Sequence, residues 1–207
     1  MTVIQKTEEY IKHKPFGAIF SFNQVARKLN VPKDSLSHAL AKLKAENQVS
    51  QLERGLWYRP KSTRFGVIGP KPEIVADIIA EERNAFILPA GAAAVHALGW
   101  STQMSMRYNY MSTKRIEPLC VNKHQITFRY SRAFEDAVKK LEGINPEEKK
   151  RAATLWIALE FMGNEESQAK SRLVQDTFSR LSARAQTKLY IAFSGKLRWV
   201  TAIVGVH

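Results

Sequence analysis

The sequence contains a single cysteine among its 207 residues. Because a disulfide needs two thiols, no intramolecular disulfide can form, and this fits a reducing compartment. A zinc site needs several Cys and His ligands at suitable spacing, and Cys120 with His124 does not provide such a set. An isolated cysteine in an apolar strand is usually a small core residue, so we expect Cys120 to be buried.

The chain also lacks a long run of apolar residues. Its most apolar stretches, residues 90–99 and 199–206, are far too short to span a bilayer. The first residues include the acidic Glu8 and Glu9 and no apolar signal core, so we expect a cytoplasmic protein without a membrane partner. For the run from Trp199 to Val206, a core strand, a docked tail and a dimer contact stay open as alternatives.

Acidic residues are few as well. The sequence has 32 Lys and Arg against 19 Asp and Glu, which gives a formal net charge of +13. The excess is largest near the start, where residues 1–62 hold 11 basic and 5 acidic side chains. A strongly basic protein favours a large anionic partner, and nucleic acid is the first candidate.

The first sixty residues carry the pattern of two helices joined by a tight turn. Apolar residues recur at helical spacing on both sides of a short break: Val25, Leu29, Leu36, Leu40 and Leu43. Ser21 is a suitable N-cap for the first of these helices, and Asn30 tolerates the end of it. Pro32 suits the first turn of the next helix. A preceding helix, Ile4 to Ile11, is expected to brace the pair.

A hairpin follows the second helix. Residues 49–54 alternate in polarity up to Gly55, which permits a return through residues 56–58. Helices, tight turn and hairpin together predict a winged helix-turn-helix. The same arrangement also occurs as a protein-docking module, and that alternative stays open.

The second helix of the pair is the expected DNA-reading element. With its leucines turned inward, the opposite face carries mostly short polar side chains, which let a helix lie deep in a major groove. Two arginines are expected to flank the tip of the hairpin, or wing, and to contact phosphate or the minor groove. The predicted double-stranded DNA contacts are Lys33, Ser35, Ser37, His38, Lys42, Arg54 and Arg59.

The rest of the chain predicts a second domain. Residues 60–72 are rich in Pro and Gly and indicate a seam, so we predict domains at 1–62 and 63–207. Helices are expected at 73–83 and 91–98, and strands at 85–88, 106–111, 115–121 and 125–130. Further helices are expected at 133–141, 146–161, 166–180 and 182–192. The predicted fold class is α+β: a winged helix-turn-helix, then a mixed α/β domain with a helical tail over about 133–195.

Four short segments between residues 54 and 103 form a series. They are Arg54-Gly55-Leu56-Trp57-Tyr58-Arg59-Pro60, Pro89-Ala90-Gly91-Ala92-Ala93-Ala94, His96-Ala97-Leu98-Gly99 and Ser101-Thr102-Gln103. In this order they resemble the AbiEi-type antitoxins of bacterial type IV toxin–antitoxin systems. The resemblance covers roughly residues 5–130.

The resemblance implies that the winged module represses its own operon by binding operator repeats. It further implies that the second domain opposes a nucleotidyltransferase-like toxin, a partner in function. Gly99, Thr102 and Gln103 form the matching motif of that domain. Either the Gly99 turn projects Thr102 and Gln103 for hydrogen bonding, or these two side chains only satisfy amides of the turn. Because one helix-turn-helix usually needs a second copy, a dimer or cooperative binding is expected.

The sequence offers no convergent catalytic set. It has no Gly-rich phosphate loop and no cluster of metal ligands, so we predict a non-enzyme with no catalytic residue, metal or cofactor. His96 is expected to be packed or hydrogen-bonded. Aromatic residues alternate along the predicted strands and form either a sheet core or a platform for single-stranded nucleic acid: Tyr108, Tyr110, Phe128 and Tyr130.

Two other functions stay open beside a DNA-binding repressor. One is a protein-interaction adaptor whose basic surface meets an acidic partner or the toxin. The other is a nucleic-acid-processing enzyme guided by the winged helix.

Overall fold

The computed structural model describes residues 1–64, 66–103 and 107–205. Contacts divide the chain into two compact units, Met1–Ile79 with Pro118–Ile126, and Ala80–Glu117 with Thr127–His207. Each unit combines helices with strands, which confirms the predicted α+β fold class. None of the helices in the described ranges has the length and apolar character needed to cross a bilayer.

The elements of the described residues include both helices and strands up to residue 130 and are helical after it. In chain order they are α1 (Val3–Lys12), β1 (Ile19–Ser21), α2 (Phe22–Leu29), α3 (Lys33–Ala45), β2 (Ser50–Glu53), β3 (Leu56–Tyr58), β4 (Lys61–Thr63), β5 (Gly66–Ile68), α4 (Pro72–Glu82), β6 (Ile87–Pro89), α5 (Ala92–Ala97), β7 (Tyr108–Ser112), β8 (Leu119–Val121), β9 (His124–Tyr130), α6 (Arg132–Lys140), α7 (Pro146–Ala169), α8 (Ser171–Ser179), α9 (Ala183–Ala192) and α10 (Val200–Val204).

The first unit begins with a winged helix-turn-helix. Helices α1, α2 and α3 accompany an antiparallel sheet with the strand order β1-β3-β2. Its core consists of the buried side chains Ile11, Phe20, Val25, Leu36, Leu40, Leu43, Val49 and Trp57. Full burial of one such side chain stabilises a fold by about 1.5–3 kcal/mol, so this cluster determines which helix faces turn inward.

The turn between α2 and α3 follows the predicted caps with one shift. Ser21 Oγ accepts from the Gln24 amide at 3.2 Å, and Gln24 Oε1 accepts from the Ser21 amide at 3.2 Å. Asn30 ends α2 in the left-handed conformation with φ 49°, which asparagine tolerates better than most residues. Pro32 is the N-cap of α3 and does not lie in its first turn, so the predicted start is one residue early.

The predicted seam contains regular structure that the sequence pattern did not indicate. Strands β4 and β5 pair antiparallel, with Lys61 opposite Ile68. After this hairpin, Asn122 Oδ1 accepts from the Gly69 amide at 2.9 Å, and Asn122 Nδ2 donates to the Pro70 carbonyl at 3.0 Å. These bonds join two segments of the first unit that are distant in sequence.

The first unit therefore extends beyond the predicted domain boundary after residue 62. Pro70 packs on the turn before β1, where a Cβ built on Gly17 would lie 3.8 Å from Pro70 Cα. Strand β8, from much later in the chain, lies beside β2. Because these contacts are non-local, a seam drawn from local Pro and Gly content does not coincide with the edge of the unit.

The central strands differ in length from the prediction. Strand β7 covers the predicted 106–111 from Tyr108 onward, and the predicted start at Met106 lies outside the described residues. Strand β8 is shorter than the predicted 115–121, because Pro118 lacks the N–H that a sheet ladder requires. Cys120 is exposed, so the prediction of a buried thiol is wrong. Side chains alternate along β8, and Val121 is the one that turns inward.

Helix α7 is the centre of the second unit and contacts α5, α6, α8, α9, α10 and β6. Its residues Leu155, Ile157 and Leu159 are fully buried. The helix continues to Ala169, past the predicted end at 161, but Gly163 interrupts it with φ 73° and ψ −177°. The next predicted helix, over 166–180, is divided between the part of α7 that follows Gly163 and helix α8, which covers Ser171–Ser179.

The apolar run at 199–206 forms the docked helix α10 as far as the structure describes it; Val206 lies outside the described residues. Val200 and Ile203 are buried in the core of the second unit. Gln175 Nε2 also donates to the Ile203 carbonyl at 2.8 Å. Of the three alternatives for this run, the docked tail is the one observed.

Candidate nucleic-acid interface

Helix α3 presents one face to the core and the other to solvent. Its three leucines and Ala39 are fully buried, and a period of 3.6 residues per turn directs the opposite side of the helix outward. Ala41 is exposed in the middle of this outer face, so the face is shallow there. Ser35 is half-buried and does not share the exposure of the other predicted contacts. The four that lie exposed on α3 are Lys33, Ser37, His38 and Lys42.

The start of α3 adds a second feature suited to an anion. No side chain among the described residues caps it. The amides of a first helical turn have no partners within the helix, and they carry the positive end of its dipole. Lys33 is the first residue of α3, so a cationic side chain stands beside these amides. Phosphate groups bind readily at such helix ends.

The tip of the wing is fixed to the start of α2. The Phe22 amide donates to the Gly55 carbonyl at 2.8 Å. Gly55 has φ 87°, a conformation that favours glycine and closes the turn between β2 and β3. Arg54 precedes this turn and is exposed. The wing therefore offers a cationic side chain on a backbone that is held in place.

Lys44 joins α3 to the wing, a contact that sequence reasoning missed. Its Nζ lies 6.0 Å from the centroid of the Trp57 ring and 3.5 Å from Gln51 Oε1. A cation over an aromatic face is attracted by the ring quadrupole. No local sequence pattern indicates that Lys44 lies over the Trp57 ring, which belongs to another element. This contact can therefore be recognised only from the three-dimensional structure.

Arg59 does not flank the wing tip, and that prediction is wrong. It follows β3 whereas Arg54 precedes it, so a strand of about 10 Å separates the two. The Arg59 guanidinium donates to the Lys12 carbonyl at 2.8 Å and to the Lys14 carbonyl. Its carbon also lies 4.2 Å from the centroid of the Phe16 ring. Arg59 therefore closes the loop after α1.

Lys42 lies at the edge of the exposed face, near an acidic residue of α1. The pKa of Glu8 is lowered by a hydrogen bond from Lys12 and by the charge of Lys12, with smaller contributions from Gln48 and from the charge of Lys42. Lys12 Nζ stands 2.7 Å from Glu8 Oε1, and Gln48 Nε2 donates to the same oxygen at 3.4 Å. The charge of Lys42 thus also stabilises the ionised carboxylate of Glu8 on α1.

The Gly99 motif of the second unit forms a turn after α5. Gly99 follows the helix with φ 75°, and Thr102 and Gln103 project into solvent. Ser101 Oγ accepts from the Gln103 amide at 3.1 Å. Among the residues that the structure describes around this turn, it is thus the serine that satisfies an amide, and not Thr102 or Gln103.

Trp100, inside the same motif, anchors the turn. Its Nε1 donates to Thr177 Oγ1 of α8 at 3.1 Å, and its ring packs against the core of the unit. A tryptophan N–H usually finds a partner when the ring is partly buried. The part of the motif that contacts the fold is therefore Trp100, which sequence reasoning did not select.

The aromatic residues of the strands favour the sheet-core alternative. Tyr110 is buried and stacks on Phe128, with centroids 5.7 Å apart and 25° between the planes. The Tyr130 hydroxyl donates to Glu135 Oε2 at 2.9 Å. This bond raises the pKa of Tyr130, and the pKa of Glu135 is lowered by its bonds from Lys139, the larger cause, and from Tyr130.

Histidine and acidic residues form no evident metal centre. Within the described part of the chain, no group of three or more His, Cys, Asp and Glu is placed to hold a metal ion. His96 was expected to be packed or hydrogen-bonded, and its exposure rules out the packed position. Helix α5 turns Ala94 and Val95 inward and leaves His96 on its outer side.

Comparisons with known proteins place the chain in a family. A family model described as a family of unknown function (DUF6088) matches residues 6–172. None of the curated proteins matches the chain. The chain is similar to the crystal structure of the RV2827C protein from Mycobacterium tuberculosis, with 12% sequence identity and a TM-score of 0.42, over 98% of this chain and 79% of that chain. Because the family model covers most of the sequence, the chain belongs to DUF6088, a family of unknown function.

Proposed function

We propose that this protein binds double-stranded DNA in a sequence-specific manner and represses transcription of its own operon. The observation that carries the proposal is the exposed face of α3, with Lys33, Ser37, His38 and Lys42, in a unit whose wing holds Arg54 outward. In a winged helix, short polar residues on the second helix read base edges in the major groove, and flanking cations contact phosphate.

Charge supports the same proposal. The unit formed by residues 1–79 and 118–126 holds 14 Lys and Arg against 7 Asp and Glu. Contacts of this kind to phosphate give affinity that falls steeply with salt, because bound counterions are released from DNA. The proposed contact set is Lys33, Ser37, His38, Lys42 and Arg54, with Ser35 at its half-buried edge.

Fluorescence anisotropy with a labelled duplex tests the proposal. The duplex comes from the region upstream of the protein's own gene, and a scrambled duplex of equal composition is the reference. We expect tighter binding to the upstream duplex, and about tenfold weaker binding after Ser37→Ala combined with His38→Ala, which is about 1.4 kcal/mol. Lys6→Ala, an exposed change on α1, is the control and should leave specificity unchanged. Equal affinity for both duplexes would refute sequence-specific recognition.

A more specific proposal is an antitoxin in the cytoplasm, and it depends on the resemblance to AbiEi-type proteins. The operator would then contain repeats, bound by a dimer or cooperatively, because a single recognition helix reads few base pairs. Co-expression tests the antitoxin role. The product of a neighbouring nucleotidyltransferase-like gene should arrest growth when it is expressed alone, and should not arrest growth when it is expressed together with this protein. Growth arrest that persists with this protein present would contradict it.

A protein-interaction adaptor is the second candidate. It is favoured by the hairpin β4–β5, where Val67 and Ile68 are both more than half exposed. Because successive residues of a strand point to opposite faces, this hairpin exposes a large apolar side chain on each side, and exposed apolar surface can mark a docking site. Pull-down with the neighbouring gene product tests this candidate. The adaptor would be favoured over the repressor if the neighbouring gene product is retained by the protein, if Val67→Ser with Ile68→Ser abolishes this retention, and if the protein does not bind the upstream DNA.

A further inference from the structure

The second unit contains a pocket of about 450 Å³ that none of the preceding proposals uses. Pockets for small molecules commonly measure about 300–1,000 Å³, so this one has the size for a nucleotide. It opens where the strands β7 and β9 meet α7. The lining residues that matter chemically are Gly91, Asn109, Thr127, Arg129, Glu160 and Phe161.

The pocket lies beside the interruption of α7. Alternate residues of a strand share a face, so Thr127 and Arg129 lie on one side of β9. Asn109 shares a face of β7 with Met111, which is fully buried in the core of the unit. The interruption at Gly163 ends the regular part of α7 just after Glu160 and Phe161. One end of the sheet face is therefore open.

The pocket is lined by hydrogen-bond donors and by an acceptor. Arg129 Nη2 pairs with Glu160 Oε2, and the Glu160 side chain is only 17% exposed while that of Arg129 is 58% exposed. The carboxylate keeps its second oxygen, Oε1, for another donor. The Thr127 hydroxyl donates to Asn109 Oδ1 at 2.6 Å. This bond orients the amide so that Asn109 Nδ2 remains to donate to a ligand.

An aromatic wall completes the pocket. Phe161 is 55% exposed, although it lies on the unit's central helix. Gly91 has φ 63°, and a Cβ built on it would lie 3.5 Å from the Phe161 ring. The Phe161 ring therefore lies against Gly91 and is still more than half exposed to a ligand. Stacking of a base on an aromatic side chain contributes about 1–3 kcal/mol.

We propose that this pocket binds a guanine base, stacked on Phe161 with its Watson–Crick edge toward Glu160. Guanine presents two adjacent donors, N1–H and the 2-amino group, beside the acceptor O6. The Glu160 carboxylate matches the two donors, because Oε1 can accept from one of them and Oε2 has a second lone pair beside the one that accepts from Arg129. Asn109 or Arg129 can donate to O6. Adenine and cytosine each place a ring-nitrogen acceptor next to one amino donor, so the second carboxylate oxygen would face a lone pair. Uracil offers only one donor.

The base could belong to a mononucleotide or to a single-stranded oligonucleotide, and calorimetric titration of the full chain separates these sources. We expect GMP to bind with saturation, at least tenfold more tightly than AMP, CMP or UMP. A pentaribonucleotide with one central guanosine that binds at least tenfold more tightly than GMP would identify the oligonucleotide as the source. Equal binding of both would identify the mononucleotide. Absence of saturable binding by both guanine probes, or equal binding of AMP and GMP, would overturn the proposal.

Three variants assign the binding to this pocket. Glu160→Gln replaces one carboxylate oxygen by an amide donor and should weaken GMP binding at least tenfold, while AMP binding changes little. Phe161→Leu keeps an apolar side chain without a stacking face and should weaken every base that binds. Glu165→Gln, an exposed change on the same helix, is the matched control. If the control weakens GMP binding as much as Glu160→Gln, or if neither pocket variant weakens it while circular dichroism shows both folded, the proposed pocket is wrong.

Discussion

The guanidinium of Arg59 lies on the ring of Phe16, with its carbon 4.2 Å from the ring centroid. The same group donates to two carbonyls at the end of α1, so one side chain joins β3 to the loop that precedes β1. An arginine in such a position serves the fold. Arg54, five residues earlier in the chain, has an exposed side chain at the wing tip.

We expect substitution of these two arginines to have different effects on stability and on DNA binding. Arg59→Ala should lower the free energy of unfolding by about 1–2 kcal/mol, because charged hydrogen bonds and a cation–π contact are lost. Arg54→Ala should change stability by less than about 0.5 kcal/mol and weaken DNA binding. Urea unfolding and anisotropy measure both quantities. Equal loss of stability in the two variants would contradict the assignment of Arg59 to the fold.

Lys33 provides a prediction about salt. If the protein neutralises about six phosphates, the slope of log affinity against log salt is roughly −5. Lys33→Ala removes one of these charges and should make the slope shallower by about 0.9. The measurement is anisotropy between low and physiological salt. Lys6→Ala should keep the original slope, and a change of equal size in that variant would show that the field of the whole surface, and not the start of α3, sets the dependence.

From the contacts of Trp100 we predict that the Gly99 motif stabilises the fold of the second unit. Trp100→Phe removes the bond to Thr177 and should cost about 1 kcal/mol of unfolding free energy. In a double-mutant cycle with Thr177→Val, the coupling energy should be about 0.5–1 kcal/mol. Thr102→Ala, at an exposed position, should leave stability unchanged. A coupling energy near zero would show that the indole bond does not stabilise the turn.

Glu135 predicts a dependence of stability on pH. Its pKa is lowered in the fold from the ordinary 4.5, so the unfolded chain binds more protons in acid. The stabilising contribution is complete above pH 4.5 and is lost as the pH falls through the lowered value. The pKa of Tyr130 is raised from 10.0, so its contribution is complete below that pH and is lost above it.

Urea midpoints at pH 3, 5 and 7 test this dependence. Glu135→Gln should narrow the difference between pH 3 and pH 5, because the variant has no carboxylate to protonate at this position. Glu165→Gln, in the same unit, should retain the full difference. If Glu135→Gln also retains it, Lys139 and Tyr130 do not lower the pKa of Glu135 enough to affect stability.

The sequence predicted the winged helix well because local signals determine it. The spacing of Leu36, Leu40 and Leu43 identifies the inner face of α3 without any other part of the chain. The reciprocal bonds of Ser21 and Gln24 join residues only three apart. Where both the pattern and its physical cause lie within one or two turns of helix, the prediction is confirmed.

Predictions failed where the cause is distant in sequence. Arg59 bonds to carbonyls 47 and 45 residues earlier, so no local reading could remove it from the wing tip. Cys120 was expected in the core because cysteine often is, but the alternation of the short β8 places it outside. The pocket around Glu160 also brings together residues from four parts of the chain, and no motif relates them.

The bonds of Asn122 have a consequence for folding during synthesis. Its partners Pro70 and Gly69 precede it by 52 and 53 residues, so they leave the ribosome well before it. At about 5–20 residues per second, the nascent chain waits roughly 3–10 seconds for this clamp. During that interval β2 lacks its neighbour β8, although the winged helix has already been synthesised. The first unit is thus the first to begin folding, but it can be completed only after more than half of the polypeptide has emerged.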